Sequence, residues 1–316
     1  MDMTNILWKA EQAYEHMEES NSSEIVNAIG AHISKNEDLL IEATENDEIN
    51  KVSIISIENE IDKVAKQSSL YKKIIENFKT EEGFILGSHY VPLGVLGALY
   101  DGNPFTAVCL IARAIASHNS IILCTDKNIT TNGVIVELAR KVLKINDYPE
   151  DLIQIVFERE GIISSDLRIR NIIAVGNREE QDEITEVAKV NVITSGYNNY
   201  EIYIEDQVDK ELISRIISST ANIKIFINQD MEEEYEGIEC VDDMEHAIAE
   251  INRRGSGFSA SIITRDRNNA LQFMKRVKSR SVSVNASPMI HGAFDIELEE
   301  LMKKQTLFYP EKGRLE

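Results

Sequence analysis

Thiols, phenols and imidazoles are the side chains here that could do chemistry, and their spacing excludes most of it. The chain has three cysteines, Cys109, Cys124 and Cys240, with no Cys-x-x-Cys and no metal-ligand spacing. A thiolate nucleophile needs a partly exposed, electropositive setting. Cys109 shares a helical face with Phe105, Val108 and Ala112 and reads as a small buried hydrophobe. Cys124 ends the apolar run Ser120–Leu123, where a ligand could reach it, although packing is the simpler reading. Cys240 stands beside acids that would keep its thiol protonated. The six histidines, His16, His32, His89, His118, His246 and His291, form no pair at metal-binding spacing, and no metal site is expected. Gly-rich phosphate loops, zinc-protease, calcium-loop and hydrolase signatures are absent.

The elements that must carry these residues fall into two textures. In the first 82 residues, Ile25, Ile29, Ile33, Leu40 and Ile41 recur near helical spacing, and Ser22–Ser23 before Glu24 supplies a helix cap. The region is read as helical throughout, and its excess of acids as a solvated face. From Gly83 onward, apolar runs alternate with helical patterns. Strands are expected at Val95–Tyr100, Ser120–Leu123, Leu152–Phe157 and Asn171–Val175. Helices are expected on the Phe105–Ala112 and Ile135–Val142 faces. After Gly196, strands are expected at Ile202–Ile204, Ile223–Ile227, Glu239–Val241, Ser259–Thr264 and Ser281–Asn285, the last of the chain. Helices are expected at Asp209–Ser219, after the Asp242–Asp243 cap, and at Asp266–Lys278. The fold class is α/β, an open and mostly parallel sheet covered by helices, with a smaller α/β domain inserted. Ligands of such sheets lie beyond the carboxyl ends of the strands, which directs attention to Asp101–Pro104, Thr125–Lys127 and Gly176–Arg178.

Length and charge bound the rest. A chain of 316 residues accommodates about two domains. A formal charge of -21 disfavours nucleic acid and anionic membrane as partners, since both need a cationic footprint. No apolar stretch reaches the roughly 20 residues of a bilayer span, and no secretory leader is visible. The expected location is the cytoplasm.

Longer strings are more specific. VPLGVLGALYDGNPF, followed by a helix and HNSIILCTD, resembles the beginning of the cofactor domain in the aldehyde dehydrogenase superfamily. ECVDDMEHAIAEINRRGSGFSASIITRDRNNALQFMKRVKSRSVSVNAS is similar to the end of that superfamily's catalytic domain. PLGV, the glycine-serine hinge and the NAS ending most resemble gamma-glutamyl phosphate reductase (glutamate-5-semialdehyde dehydrogenase). The resemblance implies a nucleotide-binding domain of residues 1–195 plus 289–316 and a catalytic-like domain of residues 196–288. It further implies NADP or NAD as cofactor, held in a cleft with Asn103, Thr125, Lys127, Gly176 and Asn177. A homo-oligomer, or pairing with a related chain, is the implied assembly.

Departures from the family pattern decide the functional expectation. The resemblance places Tyr200 where the nucleophilic cysteine belongs, and a phenol with a pKa near 10 is protonated at neutral pH. Cys124 stands where the family has a basic residue, and Asp126 would repel a phosphate unless Lys127 compensates. The stretch from Ile217 to Glu239 is shorter than in relatives, and the C-terminal arm is expected to be abbreviated. Asn103 matches an oxyanion donor of relatives, although Asn-Pro is also a common turn opener. Gly176 permits either close ligand approach or a turn, and Gly255-Ser-Gly257 reads as a helix stop and hinge. The expectation is a catalytically degenerate homologue that still binds NAD(P). One alternative is an active NAD(P)H-dependent reductase of an acyl phosphate or acyl-CoA, with Cys124 as the thiol. The other is a structural partner of a full-length relative.

Overall fold

The computed structural model describes residues 2–17, 21–49, 53–67, 70–71, 73–81, 83–163, 168–205, 210–218, 223–228, 238–291 and 294–310. Four amphipathic helices open the chain: α1 (Met3–Glu15), α2 (Ser22–Lys35), α3 (Glu37–Asn46) and α4 (Ile54–Gln67). Their apolar faces bury Ile25, Ile29, Ile33 and Leu40, in the periodicity read from sequence, and also Ile57, Ile61 and Val64. Two details differ. Asn21, not Ser22–Ser23, occupies the cap position of α2. The helical reading also fails beyond α4, because Ile74–Lys79 is a strand, β1.

That strand pairs antiparallel with β2 (Phe84–Pro92), which pairs antiparallel with the final strand of the chain. This final strand, Met302–Pro310, corrects one expectation: Ser281–Asn285 is not the last strand. The sheet escaped prediction because β1 is exposed along its whole length and lacks the continuous apolar run of a buried strand.

The central region alternates as expected. It contains β3 (Val95–Leu99), α5 (Pro104–Ala116), β4 (Ser120–Cys124), α6 (Ile129–Ile145), β5 (Ile153–Val156), α7 (Glu160–Ile163), β6 (Ile169–Val175), α8 (Arg178–Val187) and β7 (Asn191–Ser195). These strands form a five-stranded sheet in the order β5-β4-β3-β6-β7, with β3, β4 and β5 parallel. Every residue of β3 and β4 is buried, which explains their uninterrupted apolar runs. The edge strand β7 had no such run and was not foreseen.

The remaining elements are β8 (Tyr200–Ile204), α9 (Lys210–Ser218), β9 (Ile223–Asn228), β10 (Glu239–Val241), α10 (Met244–Arg254), β11 (Ser259–Ile263), α11 (Arg267–Arg276), β12 (Ser281–Val284) and β13 (Met302–Pro310). Strands β8 to β12 form a second five-stranded parallel sheet, ordered β10-β9-β8-β11-β12. Asp243 and Asp266 cap α10 and α11 through their side chains, as side-chain acceptors before an apolar helix should.

The chain divides into two compact units. The first comprises Met1–Ile173, Val187–Ile193 and Ile296–Glu316; the second comprises Ala174–Glu186 and Thr194–Asp295. Relative to the boundaries that the family resemblance implies, the second unit also takes in Ala174–Glu186 and residues 194–195 and 289–295. Among the described residues, no helix is long and apolar enough to cross a membrane.

Candidate functional site

In the first unit, β3 and β4 run parallel with Leu99 opposite Cys124, so their following loops emerge side by side. The turn after β3 requires a glycine. Gly102 has φ +80°, and a Cβ there would lie 2.7 Å from both the Lys127 carbonyl and Thr125 Oγ1. Its carbonyl accepts from Asn128 Nδ2 at 3.0 Å and Asn132 Nδ2 at 2.8 Å. Asn132 is fully buried on α6, and its Oδ1 accepts from the Tyr100 hydroxyl at 2.9 Å. Burial keeps that phenol protonated. Thus Asn132, which sequence reading passed over, ties the two loops together.

Asn103 caps α5: its Oδ1 accepts from the Phe105 amide at 2.9 Å, and Pro104 fills the first turn. The turn role is therefore present, and it leaves the side-chain NH2 as what Asn103 can offer a ligand. Thr125 is buried, and its Oγ1 accepts from the Lys127 amide at 3.1 Å. Asp126 and Lys127 are exposed. A further anionic group from the helical region lies at the start of α6. Asp47 accepts from the Thr131 amide and hydroxyl, each at 2.7 Å, and from the Thr130 amide at 3.3 Å. Partial burial opposes ionisation of Asp47, but these bonds outweigh it and lower its pKa.

Two of the three thiols are withdrawn from solvent. Cys109 and Cys124 are fully buried. Desolvation raises the Cys109 thiol well above its ordinary value and pushes Cys124 up to about 11, with Arg159 only partly opposing the latter shift. Cys240 is exposed on the edge strand β10.

Gly176, Asn177 and Tyr200 belong to the second unit. Asn177 and Glu180 form a reciprocal cap on α8: the Glu180 amide donates to Asn177 Oδ1 at 3.0 Å, and the Asn177 amide donates to Glu180 Oε2 at 2.9 Å. The Glu180 carboxylate fills the space beside Gly176, where a Cβ would come within 2.3 Å of Oε2. Gly176 also donates its N–H to the Ser195 carbonyl and accepts from Gln181 Nε2. Here the glycine makes room for a cap.

Tyr200 is the first residue of β8 and is 3% exposed. Its ring packs against Phe258 at 5.6 Å, and Tyr197 packs against both Phe258 and Phe294. Burial raises the Tyr200 pKa, moving the phenol further from nucleophilic character. The neighbouring Glu201 was not singled out from sequence. Its carboxyl is buried, accepts from the Ser256 amide at 2.7 Å and has its pKa raised to about 7 by desolvation. Gly255 closes α10 with its amide on the Ile251 carbonyl, and Gly257 takes φ +77°, so the stop read from the glycine-serine-glycine string is present. Part of the Ile217–Glu239 stretch lies outside the described residues.

No protein-family model matches the chain. Among solved structures, betaine aldehyde dehydrogenase from Staphylococcus aureus in complex with NAD+ superposes with a TM-score of 0.76 at 14% identity, covering 99% of this chain and 88% of that one. Glyceraldehyde-3-phosphate dehydrogenase from Methanocaldococcus jannaschii complexed with NADP gives a TM-score of 0.72 at 13% identity, covering 98% and 94%. The two units, each built on a parallel sheet, therefore constitute an aldehyde dehydrogenase fold.

Sequence similarity narrows this class. The chain is 24% identical to gamma-glutamyl phosphate reductase from Dictyoglomus thermophilum, over 90% of this chain and 88% of that protein. It is 26% identical to the Clostridium perfringens protein of the same name, over 73% and 70%. The solved gamma-glutamyl phosphate reductase from Thermotoga maritima matches the full length of both chains with a TM-score of 0.65 at 17% identity. The chain is thus an aldehyde-dehydrogenase-fold protein similar to the gamma-glutamyl phosphate reductases.

Proposed function

We propose that this chain is a catalytically degenerate homologue of gamma-glutamyl phosphate reductase that keeps a dinucleotide-binding shell. The observation that carries the proposal is the fate of the thiols: Cys109 and Cys124 are buried with raised pKa values, and Cys240 sits on an edge strand. Acyl transfer to a thiol needs a thiolate that the substrate can reach. Tyr200, which the family resemblance aligns with the nucleophile, is a buried phenol in an aromatic cluster.

Retention of the shell is supported by relatives of the same fold whose structures contain NAD+ or NADP. In the first unit, the Asn103 amide and the Lys127 ammonium are the groups we assign to the ligand. They face opposition from the carboxylates of Asp101 and Asp126, so the loop pair suits a ribose or carboxamide better than an unshielded phosphate. A bound dinucleotide would supply hydride chemistry. This chain's part would be to position it through these two loops, which Asn132 and Gly102 hold in register. We extend the proposal to an oligomer, because Ile74, Phe78 and Phe308 of β1 and β13 are exposed apolar side chains on a three-stranded sheet.

The test is NADPH oxidation with an acyl phosphate and with an acyl-CoA, before and after iodoacetamide treatment. The proposal expects no thiol-dependent turnover. Turnover abolished by iodoacetamide and by Cys124→Ser would establish the active-reductase alternative instead.

A further inference from the structure

Glu201 lies on the central strand of the second sheet, between Lys224 of β9 and Ala260 of β11, and is 3% exposed. Alternation along β8 puts it on the same face as Tyr203, which packs with Ala247, Ile248 and Ile251 of α10. Its Oε1 accepts from the Ser256 amide at 2.7 Å, while Oε2 has no hydrogen-bond partner among the described residues. Gly255 makes this possible, since a Cβ there would stand 3.2 Å from the carboxyl group. Ser256 in turn binds the segment leading into β8: its Oγ donates to the Asn199 carbonyl at 3.0 Å, and its own carbonyl packs against Gly196. One buried carboxyl therefore pins the Gly255–Gly257 loop to the Gly196–Tyr200 segment.

Desolvation outweighs the groups that favour ionisation of this carboxyl, the Ser256 bond and the nearby Lys224 charge, and among the described residues no ion pair is made to it. Lys224 pairs with Glu239 of β10 at 2.8 Å, and Arg254 of α10 is taken by Glu239 and Glu250. Arg253 bonds to Glu250 at 2.6 Å. On its own strand, Tyr200 and Tyr203 are buried, and Glu205 is held by Asn269 and Thr264. The 3-10 turn Pro288–His291 also packs on β8. The carboxyl further lies at the C-terminal end of α10, where the helix dipole disfavours negative charge. A neutral carboxyl is tolerated in such a place, whereas a carboxylate there needs water or a cation.

We propose that Glu201 is a proton-operated latch in the second unit: neutral, it holds the Gly255–Gly257 loop onto the Gly196–Tyr200 segment, and ionised, it releases that loop to water. Its raised titration range, about 7, supports this reading and places the switch at neutral pH. Between pH 6 and pH 8 the protonated fraction then falls from about nine-tenths to about one-tenth.

Amide hydrogen exchange of the full chain and of Glu201→Gln, corrected for the intrinsic pH dependence of exchange, tests the latch. In the native sequence, protection over residues 255–258 should fall at least about fivefold from pH 6 to pH 8 as the open form gains population. In Glu201→Gln it should stay within about twofold. Constant protection in the native sequence, or an equal fall in Glu201→Gln, would overturn the proposal. Should Glu201→Gln fail to fold, the Ser256 amide shift in the native sequence must titrate within about one unit of pH 7 and keep that inflection in His291→Asn. Absence of the inflection, or its loss in His291→Asn, also overturns the proposal.

Discussion

In the first unit, the loops after β3 and β4 satisfy one another. Tyr100 bonds to Asn132, Asn132 bonds to Gly102, and Asn103 caps α5. In the second unit, the start of β8 leaves a buried carboxyl with one oxygen unpaired. Both regions are polar groups set at the rim of a parallel sheet. The first is built from neutral amides and a phenol with matched donors and acceptors, so its geometry should be insensitive to pH. The second depends on the charge of one side chain. A site meant to hold a ligand in fixed register gains from the first kind of construction; a region meant to move gains from the second.

The largest test of this contrast is Asn132→Leu. It strands the Tyr100 hydroxyl in the interior and removes one donor from the Gly102 carbonyl, which keeps Asn128, and should cost about 3 kcal/mol in denaturant unfolding, with little dependence on pH. A cost below about 1 kcal/mol would mean that the loops do not rely on this network.

The pH profile comes next. The Glu201 carboxyl in the folded chain holds its proton to about 7, whereas the ordinary value is 4.5. Between those values the folded state binds more protons than the unfolded state, so stability falls as pH rises through the window. The decrease should reach about 3 kcal/mol by pH 8. Glu201→Gln should flatten this part of the profile and be the more stable form at pH 8. An unchanged slope in the variant would assign the titration elsewhere.

Gly102→Ala should cost about 2 kcal/mol, because φ is positive and the new methyl meets the backbone of Lys127. Gly176→Ala should cost only about 1 kcal/mol. There the obstacle is the Glu180 carboxylate, which can swing away at the expense of one helix cap. Equal losses at the two glycines, measured by denaturant midpoint, would remove the distinction between a loop pinned by backbone and one filled by a side chain.

The parallel sheets were legible in the sequence because strands buried on both faces leave continuous runs such as Ser-Ile-Ile-Leu at 120–123. The helical start was legible through Ile25, Ile29 and Ile33 for the complementary reason, a single buried stripe. Strands β1 and β13 were not legible. Their residues are largely exposed, and Ile74 and Ile75 follow so closely on the Ile57–Ile61–Val64 stripe that they read as its continuation. In the loops after β3 and β4, the Asn103-Pro104 pair announced the turn and cap that it forms, but Asn132 lies mid-helix with nothing local to mark it. Glu201 looked like the exposed partner in an alternating strand, Tyr-Glu-Ile-Tyr-Ile. The cue against exposure was topological, because a strand with parallel neighbours on both sides has no solvent face.

Retention of a dinucleotide-binding shell without a working thiol is the central claim, and a thermal-melt titration with NADPH and NADH from micromolar to millimolar tests it most directly. Ligand at about a hundred times its dissociation constant adds roughly 2.7 kcal/mol, a rise of a few degrees for a chain of this size. A saturable rise with at least one cofactor, reduced in Asn103→Ala and Lys127→Ala, is the predicted result. An unchanged midpoint at millimolar concentrations of both cofactors would contradict it.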